Sequence, residues 1–397
     1  MRIVIAHNYY GSSSPSGENE VVTAEAELLR SHGHEVMMFE RHSDSIRDRG
    51  ITGATTGALS VPWNPFSARK MREVVASWKP DILHAHNTFP LISPAIFPAA
   101  AGGPARVLTL HNYRLLCAAG IPMRDNRPCT LCIEKRSVAP ALHYGCYRDS
   151  RIATVPLAAG IALHRARGTW HKDVEALIAL TDFQRDLLSR GGLPAAMIEV
   201  KPNFYPGRPH VRRWDERPPH CVFVGRLSPE KGVLKLIRAW RKWGGDAPSL
   251  LVIGDGPLRS ELEREAAGAR VSFLGQLPRI QTERHIAEAR LLILPSECFE
   301  GFPMVVREAF AFGTPVAVSD LGALPSIVGG GRLGFLLDPF DDTAVTDRLR
   351  RIWADSSRLR QIGEAGNREF LLRYTADANI KILHRIYDRA LERRKQA

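Results

Sequence analysis

Two carboxylates and two cations stand at spacings that could handle a sugar and a diphosphate. Glu300 and Glu308 are separated by seven residues in Glu300-Gly301-Phe302-Pro303-Met304-Val305-Val306-Arg307-Glu308. A carboxylate accepts two O–H bonds at once, which suits a vicinal diol. Glu308 could hold a ribose diol and Glu300 a sugar hydroxyl. On the residues alone, two solvated surface charges fit the same spacing. The cations lie earlier, in Gly225-Arg226-Leu227-Ser228-Pro229-Glu230-Lys231-Gly232. Arg226 and Lys231 could neutralise a leaving diphosphate, or be ordinary loop charge. The chain has no Asp-x-Asp triplet. A divalent metal held by paired aspartates is therefore not expected, and the cations fit the task of stabilising the leaving group.

Both pairs need a strand, a loop and a helix N-terminus to place them. Leu291-Leu292-Ile293-Leu294 is a strand signal leading into the Glu300 loop, and a helix from about Pro303 to Phe312 would stop at Gly313. Cys221-Val222-Phe223-Val224 leads in the same way into the Arg226 turn, with a helix from Val233. This is the anion-binding arrangement of open α/β sheets. The chain opens likewise: a strand from Arg2 to Ala6, a Gly- and Ser-rich loop from Gly11 to Glu20, and a helix from about Asn19 to Ser31. That loop matches neither G-x-G-x-x-G nor a Walker A motif. Strands at Ile82 to Asn87 and Arg106 to Leu110 end in histidines. His84 is read as a satisfied core residue, His86 as an acceptor-side candidate, and His111 as a candidate at the crevice. Residues 41–66 read as a long surface loop, and two helical patterns near 343–354 and 379–394 close the chain.

The string Glu300-Gly301-Phe302-Pro303, Glu308-Ala309, Gly313-Thr314-Pro315-Val316 resembles the E-x7-E signature of family 4 glycosyltransferases. Those are retaining enzymes with the GT-B fold, an α/β class in which two Rossmann-like domains face each other across a cleft. The resemblance covers nearly the whole chain. It implies hexosyl transfer from a UDP- or GDP-sugar to a glycan or lipid-linked saccharide, as in surface polysaccharide assembly, with no cofactor for catalysis. It assigns catalytic roles to His111, Arg226, Lys231 and Glu300. It assigns donor contacts to Gly17, Arg226, Lys231, Leu277, Glu300, Gly301, Phe302, Pro303 and Glu308. The sequence departs from the family pattern at Ser326, where the usual residue is Glu. A sugar-nucleotide epimerase of the same architecture is one alternative. A zinc-containing nucleic-acid-binding protein is another, although no nucleic-acid partner is expected.

Residues 1–205 are expected to form the acceptor domain and residues 206–374 the donor domain, with a boundary in the proline-rich stretch 204–219. The last helix, 375–397, is expected to pack back on the first domain. The 397 residues carry a net charge of +12, and residues 113–172 alone hold ten basic against three acidic residues. That local excess points to an anionic substrate or lipid surface. Within it, Arg151 to Leu163 is too short to span a bilayer and reads as a core helix or an interfacial segment. The start reads as a strand, so the protein is expected to be cytoplasmic, with peripheral contact at the inner membrane face. Cys117, Cys129, Cys132 and Cys146 occur as C-x11-C-x2-C-x13-C. This spacing suits a structural zinc site, with unligated thiols or an iron–sulfur cluster as alternatives.

Overall fold

Runs of Val, Ile, Leu and Ala bounded by turn residues form two six-stranded parallel sheets. The computed structural model describes residues 1–11 and 17–396. The Ser12 to Ser16 part of the first loop lies outside the described residues. The chain divides into two compact units: residues 1–122, 130–203 and 377–397 in the first, residues 123–129 and 204–376 in the second.

In the first unit, β1 (Arg2–Tyr9), β2 (Glu35–His42), β3 (Ile82–Asn87), β4 (Ala105–Leu110), β5 (Ala176–Ala179) and β6 (Ile198–Val200) lie in the order β2-β1-β3-β4-β5-β6. Strands β3 and β4 are buried along their whole length, polar His84, His86, Asn87, Arg106 and Thr109 included, as expected for central strands covered on both faces. The Gly17–Ser31 helix buries Val21, Val22, Ala26, Leu28 and Leu29, with Glu25 on the same face. The Ala376–Gln396 helix buries Asn379, Ile380, Leu383, Ile386, Tyr387 and Ala390, and from Asp377 it belongs to this unit. The stretch 41–66 is not a long loop: it holds helices Asp44–Arg47 and Gly50–Ser60. Gly53 and Gly57 face Ile46 there, so the packed face carries no apolar periodicity to read.

In the second unit, β7 (His220–Val224), β8 (Ser249–Ile253), β9 (Val271–Gly275), β10 (Leu291–Leu294), β11 (Val316–Ser319) and β12 (Phe335–Leu337) lie in the order β9-β8-β7-β10-β11-β12. Counted within the unit, this is the 3-2-1-4-5-6 order of dinucleotide-binding sheets. The core gathers Phe223, Leu236, Ile237, Trp240, Val252 and Ile293, and the Trp240 indole donates to the Pro248 carbonyl at 2.8 Å. Residues 204–219 are more than a solvated linker, because Phe204, Tyr205 and Arg217 in it are buried.

A helix that the sequence pattern did not show, Ser356–Arg373, packs on the Met304–Ala311 helix. Its contact face is made by small residues, Gly363 and Gly366, as well as Leu359, Ile362 and Phe370. Asn367 donates to the Phe310 and Ala311 carbonyls at 3.2 and 2.9 Å. A Cβ at Gly363 would stand 2.4 Å from the Gly313 carbonyl oxygen. Two effects then compete in Gly363→Ala. Helix propensity would gain about 1 kcal/mol. The steric conflict is with backbone, and overpacking typically costs about 1–3 kcal/mol. The expected net result is destabilisation, read as a lower midpoint in urea unfolding; a raised midpoint would show that the helices separate freely.

Candidate active site

Strands β7 and β10 are neighbours, paired Cys221 to Leu291 and Val222 to Leu292, and strand order reverses between them. Connections leaving their C-terminal ends go opposite ways, which opens a crevice there. β7 delivers the turn from Gly225 to Gly232, and β10 delivers the loop from Pro295 to Pro303. The two are tied together. The Glu297 amide donates to the Glu230 carbonyl at 2.9 Å. Gly232 has φ +66, and a Cβ on it would lie 1.9 Å from the Pro295 carbonyl oxygen. Only glycine allows this approach.

The approach brings Lys231 onto Glu300, with Nζ 2.7 Å from Oε1, while the Ser296 hydroxyl donates to the same oxygen at 2.6 Å. Glu300 is buried. Burial would lower the Lys231 ammonium pKa, but the Glu300 carboxylate, Cys298 and Glu230 outweigh it and hold it above the ordinary lysine value. Arg226 is exposed on the same turn. Gly301 is partly exposed, Phe302 packs on Tyr374 with ring centroids 5.7 Å apart, and Pro303 caps the Met304–Ala311 helix. The first-turn amides of that helix have no partner within it and form its positive end. Glu308 lies in this helix, 3.1 Å from Arg307 Nη2. Arg307 is buried and donates to the Phe204 carbonyl. Leu277 is half-buried just after β9, two strands from β7.

Arg217 is a residue the sequence reading passed over. Its guanidinium donates to the Phe312 carbonyl at 2.7 Å, the Ala289 carbonyl at 3.1 Å and the Thr314 hydroxyl at 2.9 Å. It thus caps the C-terminal end of the helix that carries Glu308. Burial, with Arg212 nearby, brings its pKa down to about 10.

The first unit gathers histidines at its own strand ends. His86 Nδ1 lies 3.0 Å from His111 Nε2, with the rings stacked at 22°. Glu25 Oε1 lies 3.3 Å from both His84 Nδ1 and His86 Nε2. Lys201 Nζ sits 2.7 Å from Glu25 Oε2. Burial raises the Glu25 pKa, but Lys201, His86 and His84 reverse this and hold it well below the carboxylate range. Burial, then His86, keeps His84 and His111 well below the usual histidine value. Burial takes His7 down to about 4 against its Asn19 hydrogen bond. His86 and His111 line a cavity with Phe89, Leu157, Ile161 and Trp170. Gly17 is exposed at the start of the first helix. Glu25 and Lys201 were not singled out from sequence; a Glu on an apolar helix face was the available signal.

The six cysteines are thiols. Cys132 and Cys146 share a small apolar cluster with Ala118 and Leu157. Burial, with Cys132 and Cys146 adding, raises the Cys117 thiol to about 12. Among the described residues, the one set of three metal-ligating donors within 4.8 Å of one another is Glu25, His84 and His86. Cys117, Cys132 and Cys146 of the first unit are not brought into such a set, and Cys129 belongs to the second unit.

Residues 16–203 match the glycosyl transferase 4-like domain and residues 209–369 match the domain of glycosyl transferases group 1. The chain belongs to the group 1 glycosyltransferases. Over 316 residues this glycosyltransferase is 29% identical to the 2-deoxystreptamine N-acetyl-D-glucosaminyltransferase of Streptomyces fradiae, covering 76% of this chain and 69% of that protein. Over 231 residues, 56% of this chain, it is 32% identical to an exopolysaccharide phosphotransferase of Streptomyces coelicolor, and it spans only 24% of that relative's length. HepE of Anabaena, solved with UDP and glucose, aligns over 98% of this chain and 100% of its own at 17% identity, with a TM-score of 0.65. That likeness concerns the fold: two Rossmann-like halves of the GT-B class.

The lowered histidines predict that the fold is acid-sensitive. His164 is also brought down by burial, to about 4. Native values below the unfolded value of about 6.5 give stability that is present above that pH and lost as pH falls through it. Glu18 opposes this with one group, since burial raises its carboxyl to about 8. Each net proton taken up on unfolding steepens the loss by roughly 1.4 kcal/mol per pH unit. Urea unfolding from pH 7 to 5 should show stability falling with uptake of more than one net proton; a flat profile would put charged histidines in the folded core.

Proposed function

We propose that this glycosyltransferase moves a hexosyl group from a nucleoside-diphosphate sugar to a glycan or lipid-linked saccharide, with retention of configuration. The observation that carries the reading is the Lys231–Glu300 pair at the strand-order reversal of the second sheet. A cation and a carboxylate in contact, beside a helix N-terminus, offer a place for a diphosphate and for a sugar hydroxyl together. In this reading Lys231 and Arg226 stabilise the departing diphosphate, which takes the acceptor's proton. Glu300 and His111 orient the sugar, and Glu308 holds the ribose diol. The Gly301 to Pro303 loop faces the sugar and diphosphate, Gly17 lies near the donor phosphate, and Leu277 lies by the base. The second unit is the donor half and the first the acceptor half.

UDP in HepE supports a nucleotide-sugar donor, and the exopolysaccharide relative supports a surface glycan as product. The Arg151–Arg167 helix supports a lipid-linked acceptor. Ile152 and Val155 stand exposed on it, Ile152 at 86%, beside exposed Arg148 and Arg151. Apolar side chains flanked by arginines suit an anionic lipid surface. No helix among the described residues is long and apolar enough to cross a membrane.

Calorimetric titration with UDP, GDP and ADP, in the presence of chelator, tests the donor half. One nucleotide should bind without metal, and Glu308→Ala should weaken it by about 1.5–3 kcal/mol, the worth of hydrogen bonds to a charged group. A folded Glu308→Ala that binds as well as wild type would remove the ribose role. Absence of binding by all three would remove the donor assignment.

A further inference from the structure

The geometry points to His86 as a positioning residue that fixes the tautomer and orientation of His111, with Glu25 and Lys201 as its buried anchor. The functional meaning rests on the proposed place of His111 beside the transferred sugar. The assignment of protons does not.

The protons can be counted from the interior outward. The Lys201 ammonium can only donate, and it donates to Glu25 Oε2 at 2.7 Å and to Asn379 Oδ1 at 3.3 Å. The Tyr387 hydroxyl stands 2.8 Å from His84 Nδ1, and the other nitrogen of His84 stands 2.8 Å from the Thr109 hydroxyl. If the Tyr387 hydroxyl is the donor, Nδ1 is the acceptor and the His84 proton is on Nε2, toward Thr109. His84 then brings no proton to Glu25. Glu25 Oε1 still faces His86 Nε2 at 3.3 Å. Both atoms are buried and neither makes a close hydrogen bond, although Glu25 Oε1 lies equally near His84 Nδ1 at 3.3 Å; whichever tautomer His84 takes, a lone pair on His86 Nε2 would face a carboxylate lone pair. An ionised carboxylate can only accept. The His86 proton therefore belongs on Nε2, where it faces the carboxylate, and His86 Nδ1 carries a lone pair. The atom in front of that lone pair is His111 Nε2, at 3.0 Å. His111 must donate there, which puts its own proton on Nε2 and leaves Nδ1 as an acceptor. A neutral imidazole with a free Nδ1 lone pair can receive the O–H of a sugar hydroxyl; the other tautomer cannot.

The same three side chains, Glu25, His84 and His86, have the spacing of a metal site. Charge decides against that use. Glu25 and Lys201 already cancel, with side-chain exposures of 0% and 1%. A divalent ion would add two uncompensated charges to a sealed interior. Neutral imidazoles around a neutral ion pair are consistent with the burial.

The test uses full-length protein labelled with [15N]histidine. The ring nitrogen shifts of His111, assigned by their loss in His111→Gln, should report the Nε2–H tautomer in wild type near pH 7.5. In His86→Leu the signal should move to a mixture of tautomers. In His86→Asn, whose Oδ1 can stand where Nδ1 stood, the wild-type tautomer should return. Turnover should follow: kcat falls about 10–100-fold in His86→Leu, the usual cost of removing an outer hydrogen-bond partner, with nucleotide affinity unchanged and partial recovery in His86→Asn. A wild-type His111 protonated on Nδ1, or doubly protonated, overturns the proposal without any variant. So does a tautomer that stays the same in a folded His86→Leu. So does a stoichiometric divalent metal that His86→Asn removes. If the tautomer follows His86 while kcat does not, the network stands and the placing of His111 at the reacting sugar falls instead.

Discussion

The histidine-bearing strand ends of the first unit depend on one sealed ion pair. Lys201 and Glu25 come from elements 176 residues apart and meet at 2.7 Å with almost no exposure. Losing either partner would strand a buried charge, at a cost of about 3–5 kcal/mol. The pair also orders its surroundings. Asn379, at 3.3 Å from Lys201 and 2.7 Å from the Pro202 carbonyl, ties in the Ala376–Gln396 helix. Tyr387 of the same helix reaches His84. The last helix thereby becomes part of what holds the strand-end histidines.

The second unit solves a related problem at the other end of a helix. The Pro295 to Pro303 loop precedes the Met304–Ala311 helix, and that helix is held axially as well as laterally. Arg217 takes the Phe312 carbonyl at the C-terminal end, where a cation opposes the helix dipole. Gly363 lets the Ser356–Arg373 helix close onto the Gly313 carbonyl from the side. The N-terminal end, with Glu300 to Pro303, is left to face the crevice.

Much of this was legible in the sequence, for identifiable reasons. Strands buried on both faces can leave continuous apolar runs, and β10 is such a run, while β3 and β4 keep enough apolar residues between their polar ones to be read as strands. Glu300, Lys231 and Arg226 sit at strand-to-helix turns, which mark a crevice in any open parallel sheet. β1 was read too short because pairing with β2 continues through His7, Asn8 and Tyr9 after the apolar residues end. The Ser356–Arg373 helix was missed because its seam includes glycines, which carry no hydrophobic signal. Arg217 was hidden by its setting among prolines and other arginines. Its burial is permitted by carbonyl acceptors that come from residues some 70 to 100 positions away. The Glu25–Lys201 pair was hidden for the same reason: long-range partners decide whether a charge can be buried.

The two halves each place a Lys–Glu contact at the C-terminal edge of their sheet, and exposure separates their roles. Glu25 and Lys201 are closed to solvent, so neither can take a new partner without unfolding the surroundings. Lys231 and Glu300 retain 24% and 10% side-chain exposure, and their contact is of the same length, 2.7 Å. An ammonium held in that way is pre-oriented but still reachable, and a diphosphate can compete for it because phosphate oxygens also accept charge-assisted hydrogen bonds. Were the ammonium to turn to a phosphate, Glu300 would still hold the Ser296 hydroxyl, at 2.6 Å in this structure, and would not be left unsatisfied. The carboxylate then has capacity for a sugar hydroxyl. In the sealed pair no such exchange is open, which suits an anchor whose task is to keep a histidine tautomer fixed.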